Sequence, residues 1–252
     1  TNGSFSQEGS EQITNGDFST DSNWGKSASA TISSGVATLT ASSSNVYIYQ
    51  VLWAPNAFTN KTVKVTYTIT SNTLDAGVFT INGLGSNDFS LDVIAPQTVG
   101  THSVYIPVLD RAGNDNRFAF LLNSQATSGA ILIDNVSVKE VGQDWTLGSG
   151  WSIGDDKAIC DGTQTSTSYC QQIIPISTGD SVKLSIDVTV DSGTFTILDG
   201  NSGTIVLSET VSGTYTVYFT WSGSNSNLFL RAPIGFVGSV TNISVKEVGQ
   251  NW

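Results

Sequence analysis

Residues able to carry acid–base or nucleophilic chemistry are few in this chain. His102 is the only histidine, so neither a Ser/His/Asp arrangement around a second histidine nor a metal-hydrolase His pair can be built. His102 also shares its alternating apolar set with Val104 and Ile106, and the matching position of a later, similar run is Tyr215, which marks the place as structural. Asp155-Asp156 lie in a Gly-Asp-Asp turn beside Lys157 and read as a solvated turn rather than as paired catalytic acids. No glycine loop has the spacing that cradles phosphate. These residues predict a protein that is not an enzyme. Cys160 and Cys170 are the two cysteines, on strand-like runs either side of the turn-rich Asp161-Gly162-Thr163-Gln164-Thr165-Ser166. Antiparallel pairing about that turn would set them at disulfide distance. A cross-strand disulfide is expected, with two packed thiols as the alternative; a disulfide would indicate an oxidising location.

The elements that carry these residues are strands, and they recur. Val136-Ser-Val-Lys-Glu-Val-Gly-Gln-Asp-Trp145 returns as Ile243-Ser-Val-Lys-Glu-Val-Gly-Gln-Asn-Trp252. Gly100-Thr-His-Ser-Val-Tyr-Ile106 matches Gly213-Thr-Tyr-Thr-Val-Tyr-Phe219, and Thr62-Val-Lys-Val-Thr-Tyr67 matches Ser181-Val-Lys-Leu-Ser-Ile186. Order is kept while the offset shrinks, so the second copy has shorter loops. Within each copy the apolar period is two. Val63, Val65, Tyr67 and Ile69 alternate with Lys64, Thr66 and Thr68, and Val182, Leu184, Ile186 and Val188 alternate with Lys183, Ser185 and Asp187. That is half-buried strand with one face to a core. Turn clusters such as Ser33-Ser34-Gly35 and Ala112-Gly113-Asn114-Asp115 separate the runs, and no segment has a helical period. The fold class expected is all-β, two tandem antiparallel β-sandwich domains of jelly-roll type.

The boundaries follow from the repeat: a polar segment over 1–12, a first module over 13–142 and a second over 143–252. The segment is expected to be a linker or a strand lent to a neighbour, because its apolar content is too low for a domain. Thr1-Asn-Gly-Ser-Phe-Ser6 returns as Thr14-Asn-Gly-Asp-Phe-Ser19, and Trp252 stands where Trp145 opens the second copy, so both ends resemble cut repeats. A net charge of −11 opposes a phosphate backbone, which excludes nucleic acid as a partner. No run approaches the roughly 18 apolar residues of a bilayer span, so membrane insertion is not expected.

Thr14-Asn-Gly-Asp-Phe-Ser19, followed by Trp24 and closed by Ile133-Asp-Asn-Val-Ser-Val-Lys139, resembles the opening and closing strands of jelly-roll carbohydrate-binding modules. In tandem, with the Gly-Gln-Asp-Trp join, the pattern also resembles uncharacterised modules of bacteriophage tail-fibre and other virion proteins. The resemblance implies a structural Ca²⁺ in the first module, with Asp17 and Asp134 at the matching places. In the second copy Thr241 replaces Asp134, and Asn-Gly-Asp-Phe has no counterpart near Trp145. It further implies aromatic platforms for sugar rings on one sheet face. Candidates are Tyr47, Tyr49 and Trp53 on a run whose inward side is ambiguous, Tyr105 and Tyr218 at matching outward places, and Tyr169. Two functions are therefore expected. The main one is a structural or adhesive subunit of an extracellular or virion fibre, partnered by copies of itself and assembling head to tail or by donating its N-terminal strand. The alternative is a tandem carbohydrate-binding module that holds polysaccharide, including cell-surface glycans, on aromatic side chains.

Overall fold

The computed structural model describes residues 3–52, 61–82, 93–108, 117–200 and 203–249. No α-helix occurs among them, and the chain divides into two units: Gly9–Glu140, and Val141–Trp252 together with Thr1–Glu8. Each is an antiparallel β-sandwich, so the all-β tandem architecture is present.

In the first unit the strands are β1 (Glu8–Glu11), β2 (Gly25–Lys26), β3 (Ala30–Ser33), β4 (Val36–Thr40), β5 (Val46–Val51), β6 (Lys61–Asn72), β7 (Phe79–Asn82), β8 (Val93–Ile94), β9 (Gly100–Val108), β10 (Arg117–Leu122) and β11 (Ala130–Val141). One sheet runs β3-β4-β11-β6-β9, with β1 added against β11, and the other runs β2-β5-β10-β7-β8. From β4 onward the chain crosses repeatedly between sheets, the jelly-roll habit. Period-two alternation puts Val63, Val65, Tyr67 and Ile69 of β6 inside, against Phe118, Phe120 and Leu122 of β10. Tyr67, Phe79 and Phe120 meet at ring-centroid distances of 5.1 to 5.9 Å, in offset or edge-on arrangements favoured by ring quadrupoles. β5 is resolved by burial: Val46, Ile48 and Gln50 face the core, and Tyr47, Tyr49 and Val51 face outward.

The second unit contains β12 (Thr146–Leu147), β13 (Trp151–Gly154), β14 (Lys157–Cys160), β15 (Ser168–Ile173), β16 (Ser181–Ser192), β17 (Phe195–Asp199), β18 (Ile205–Glu209), β19 (Gly213–Thr220), β20 (Asn227–Ala232) and β21 (Val237–Glu247). Its sheets, β12-β15-β20-β17-β18 and β13-β14-β21-β16-β19, repeat the order of β2 to β11 in the first unit, without a counterpart of β1 among the described residues. Trp24 and Trp145 are both buried, as their matching places in the sequence suggest.

The cysteines require a correction. β14 and β15 do not pair about the intervening turn: β14 pairs with β13 and β21, while β15 pairs with β12 and β20 in the opposite sheet. Cys160 and Cys170 therefore project into the core from facing sheets, and both are free thiols. Burial pushes both thiols up, Cys170 the more strongly, so little thiolate exists near neutral pH. The native protein is expected to resist a thiol-titrating reagent at pH 8 and to release two reactive thiols on unfolding without reductant. Zero thiols from the unfolded chain would instead establish the disulfide.

The segment ahead of the first module is divided between the units. β1 joins the first sandwich, whereas Gly3 and Phe5 belong to the second. In the first unit Gly16 accepts a hydrogen bond at its carbonyl from the Val136 N–H at 2.8 Å, and the Phe18 ring lies 5.2 Å from Trp24. In the second, Gly3 accepts from the Ile243 N–H at 2.8 Å, and Phe5 lies 4.9 Å from Trp145. Phe5 and Phe18 both have positive φ, 57° and 49°. A β-carbon on Gly3 would stand 1.8 Å from the Ile243 carbonyl oxygen, and one on Gly16 would stand 2.0 Å from that of Val136. Only glycine permits this backbone approach. The final strand is shaped to receive it. Asn135 and Asn242 take positive φ, 52° and 53°, and between Ser185 and Asp187 the β16–β21 register shifts. That bulge leaves Ile243 out of the ladder, with its N–H available to Gly3. The Gly-x-Phe part of the counterpart absent near Trp145 is thus supplied by Gly3 and Phe5.

Candidate functional site

Two clefts adjoin on the outer face of β12-β15-β20-β17-β18. One, of about 520 Å³, is lined by Asp144, Thr146, Gln171 and Asn227 among others. The other, of about 310 Å³, is lined by Tyr169, Phe229, Leu198 and two loop glycines. They abut at Gln171 and Phe229, which are register partners on β15 and β20. Register carries this row across all five strands as Thr146, Gln171, Phe229, Leu198 and Ile205. A second row runs Tyr169, Arg231, Thr196 and Ser208. Side chains opposite one another on neighbouring strands share a face, so these residues form one surface.

Alternation explains why the aromatics point out. On β15, Ser168, Cys170 and Gln172 are buried, which sends Tyr169, Gln171 and Ile173 to the outer side. On β20, Leu228 and Leu230 fill the core and Asn227, Phe229 and Arg231 project outward. Tyr169 and Phe229 meet edge to face, with centroids 5.7 Å apart and planes at 73°. Tyr169 remains 37% exposed, and Ile173 and Ile205 on the same surface are 77% and 50% exposed. The arrangement offers ring faces and aliphatic surface beside amide, hydroxyl, carboxylate and guanidinium groups. Those are the requirements for holding a sugar ring and bonding its hydroxyls.

The equivalent face of the first unit carries different side chains. Tyr47 and Tyr49 project from β5 with centroids 6.2 Å apart, but both are half-buried. The Arg117 guanidinium lies 4.8 Å from the Tyr49 centroid, and a β-carbon on Gly25 would sit 2.3 Å from the same ring. Tyr49 is thus held between Gly25 and Arg117 rather than presented to a ligand. Ala119 of β10 occupies the place of Phe229. Trp53 lies outside the described residues.

Tyr105 and Tyr218 stand on the other sheet of each unit. They face outward from edge strands β9 and β19, opposite Lys64 and Lys183, whose ammonium groups lie 6.0 and 5.7 Å from the ring centroids. Tyr218 is 67% exposed. Of the five aromatic candidates among the described residues, Tyr47, Tyr49 and Tyr169 project from one sheet of their units and Tyr105 and Tyr218 from the other, and Tyr169 lines the groove. Phe229, Gln171 and Arg231 were not singled out by sequence reasoning. Phe229 sits between two core leucines, and its outward aim becomes evident only from strand register.

Asp17 and Asp134 were expected to hold Ca²⁺. Asp17 is exposed and accepts from the Ser19 N–H at 3.2 Å; Asp134 accepts from the Asn135 N–H at 2.6 Å. Among the described residues no three His, Cys, Asp or Glu side chains gather as metal ligands. Since Ca²⁺ takes six or more oxygens, backbone carbonyls or water would have to complete a shell around these two carboxylates. His102 faces inward, its Nε2 2.7 Å from the Thr98 carbonyl oxygen and its ring 5.5 Å from Tyr67. Asp155 and Asp156 are exposed, with positive φ, at the β13–β14 turn.

No family model matches the chain, and no curated protein matches it in sequence. Among solved structures it is similar to the N-terminal CBM22-1–CBM22-2 tandem domain of Xyn10C from Paenibacillus barcinonensis, at 9% identity over 96% of this chain and 99% of that one, with a TM-score of 0.36. It is also similar to a CBM4 structure, at 17% identity over 42% of this chain and 81% of that one, TM-score 0.27. A further similar structure is a serum fucolectin from striped bass, Morone saxatilis, at 14% identity over 84% and 85%, TM-score 0.28.

Proposed function

We propose that this chain is a non-catalytic carbohydrate-binding protein of tandem β-sandwich modules, and that the second module holds polysaccharide across the Tyr169–Phe229 groove. The observation carrying this reading is the outward edge-to-face pair of exposed Tyr169 and half-buried Phe229, flanked by Gln171, Asn227 and Arg231, at a place where the first module has Ala119 and a covered Tyr49. The setting is extracellular, where polysaccharide is met. Affinity electrophoresis through gels containing individual neutral or acidic polysaccharides tests it. Retardation in at least one gel, relieved by the free oligosaccharide, is the expected result; equal mobility in every gel contradicts it.

A second reading, a structural segment of an extracellular or virion fibre built from copies of the chain, rests on the duplication of the ten-strand module. Electron microscopy of the purified chain decides it: ordered polymers support a fibre and monodisperse particles exclude one. Calcium at Asp17 and Asp134 is proposed on the resemblance of the first module to carbohydrate-binding modules. It predicts a higher melting temperature of that module in millimolar Ca²⁺ than in chelator, and an unchanged melt removes it.

A further inference from the structure

The second module is closed by a segment that is remote from it along the chain. Phe18 precedes its partner Trp24 within one short loop, whereas the whole first module lies between Phe5 and Trp145. The contacts are nonetheless equivalent: a glycine carbonyl on the N–H that follows a left-handed asparagine, a left-handed phenylalanine, and its ring against the opening tryptophan. Phe5 is 1% exposed, so its place in the second module is a formed socket rather than a surface contact.

We propose that this socket is a peptide-binding site for a Gly-x-Phe segment, filled either by the segment of its own chain or by that of a second copy. Nothing in the three contacts depends on covalent connection to the module they complete. Exchange of an identical element between copies conserves every contact and is a low-cost route to association. At low concentration the tethered segment wins, because its effective concentration exceeds that of other chains. As chain concentration rises toward that value, exchange produces linked copies. The recognition is specific in chemistry. The glycine must lack a side chain to bring its carbonyl to Ile243, and the residue two places on must present a ring to Trp145. This inference is independent of the glycan reading, since Tyr169 and Phe229 lie on the outer face and not in the socket.

The test uses the full chain carrying Gly3→Val and Phe5→Ala, which empties the socket, with a fluorescent peptide of residues 1–8. Anisotropy should show saturable binding to the variant and at least about tenfold weaker binding to the wild-type chain, whose socket is filled. The same peptide with Gly3→Val should also bind at least about tenfold more weakly. Added peptide should raise the lowered thermal transition of the variant, as any ligand of the folded state does. If the double variant leaves the second module unfolded, Phe5→Leu retains an apolar plug and the peptide should displace it. Failure of the peptide to bind or restore either variant at millimolar concentration overturns the proposal, as does a double variant that melts like wild type. For the second-copy occupant, wild type refolded at high concentration should yield a dimer in size-exclusion chromatography that the double variant does not form. Wild type that refolds only to monomer removes that occupant while leaving the peptide result to stand.

Discussion

Phe5→Ala is expected to lower the stability of the second module by about 3–5 kcal/mol, the usual cost of removing a buried phenylalanine ring, while leaving the first module unchanged. The ring is 1% exposed and 4.9 Å from Trp145, so truncation opens a cavity beside the residue that begins the module. For a domain of this size each kcal/mol shifts the midpoint by roughly 4 °C or more, so calorimetry should show one transition falling on the order of 15 °C. Phe18→Ala is the mirror experiment: its ring is also 1% exposed and packs 5.2 Å from Trp24. It should depress the other transition, and the two effects should add because the residues share no partner. A Phe5→Ala chain whose melt superimposes on wild type would show that the N-terminal segment does not close the second module.

Removing the groove aromatics should affect binding and spare the fold. Tyr169→Ala and Phe229→Ala each delete outward ring surface from a sheet whose core is filled by Cys170, Leu228 and Leu230 on the other side. Buried aromatic contacts dominate binding energy at such sites. Each substitution should therefore weaken polysaccharide affinity at least about tenfold, or about 1.4 kcal/mol, with melting temperatures within a few degrees of wild type. Tyr49→Ala should behave in the opposite way. Its ring is clasped by Gly25 and Arg117, so its loss should lower the melting temperature of the first module and leave retardation intact. Unaltered affinity in the Tyr169→Ala, Phe229→Ala double variant would remove this face as the binding site.

Period two was legible along β6 and β16 because one face is buried and the other carries Lys, Ser and Thr. β5 was not, because Tyr47 and Tyr49 alternate with Val46 and Ile48, and both sets are apolar enough for a core. Phe229 was hidden for a related reason: Leu228-Phe229-Leu230 is a continuous apolar run whose outward member is distinguished only by its cross-strand neighbours. Both copies of Thr-Asn-Gly-x-Phe-Ser were visible, as was the lack of one near Trp145. Joining those facts required a contact between distant parts of the chain, for which no local signature exists. The cysteine reading failed on topology. Two strands flanking a short turn ordinarily form a hairpin, but in this fold the chain crosses from one sheet to the other between β14 and β15.

The most direct test of the glycan site is residue-resolved NMR of the chain titrated with a polysaccharide fragment that retards it. The groove assignment predicts that shift changes cluster at Tyr169, Gln171, Leu198, Ile205 and Phe229, with the Lys183–Tyr218 face and the first module unperturbed. Changes centred on Tyr105 or Tyr218, or confined to the first module, would contradict it.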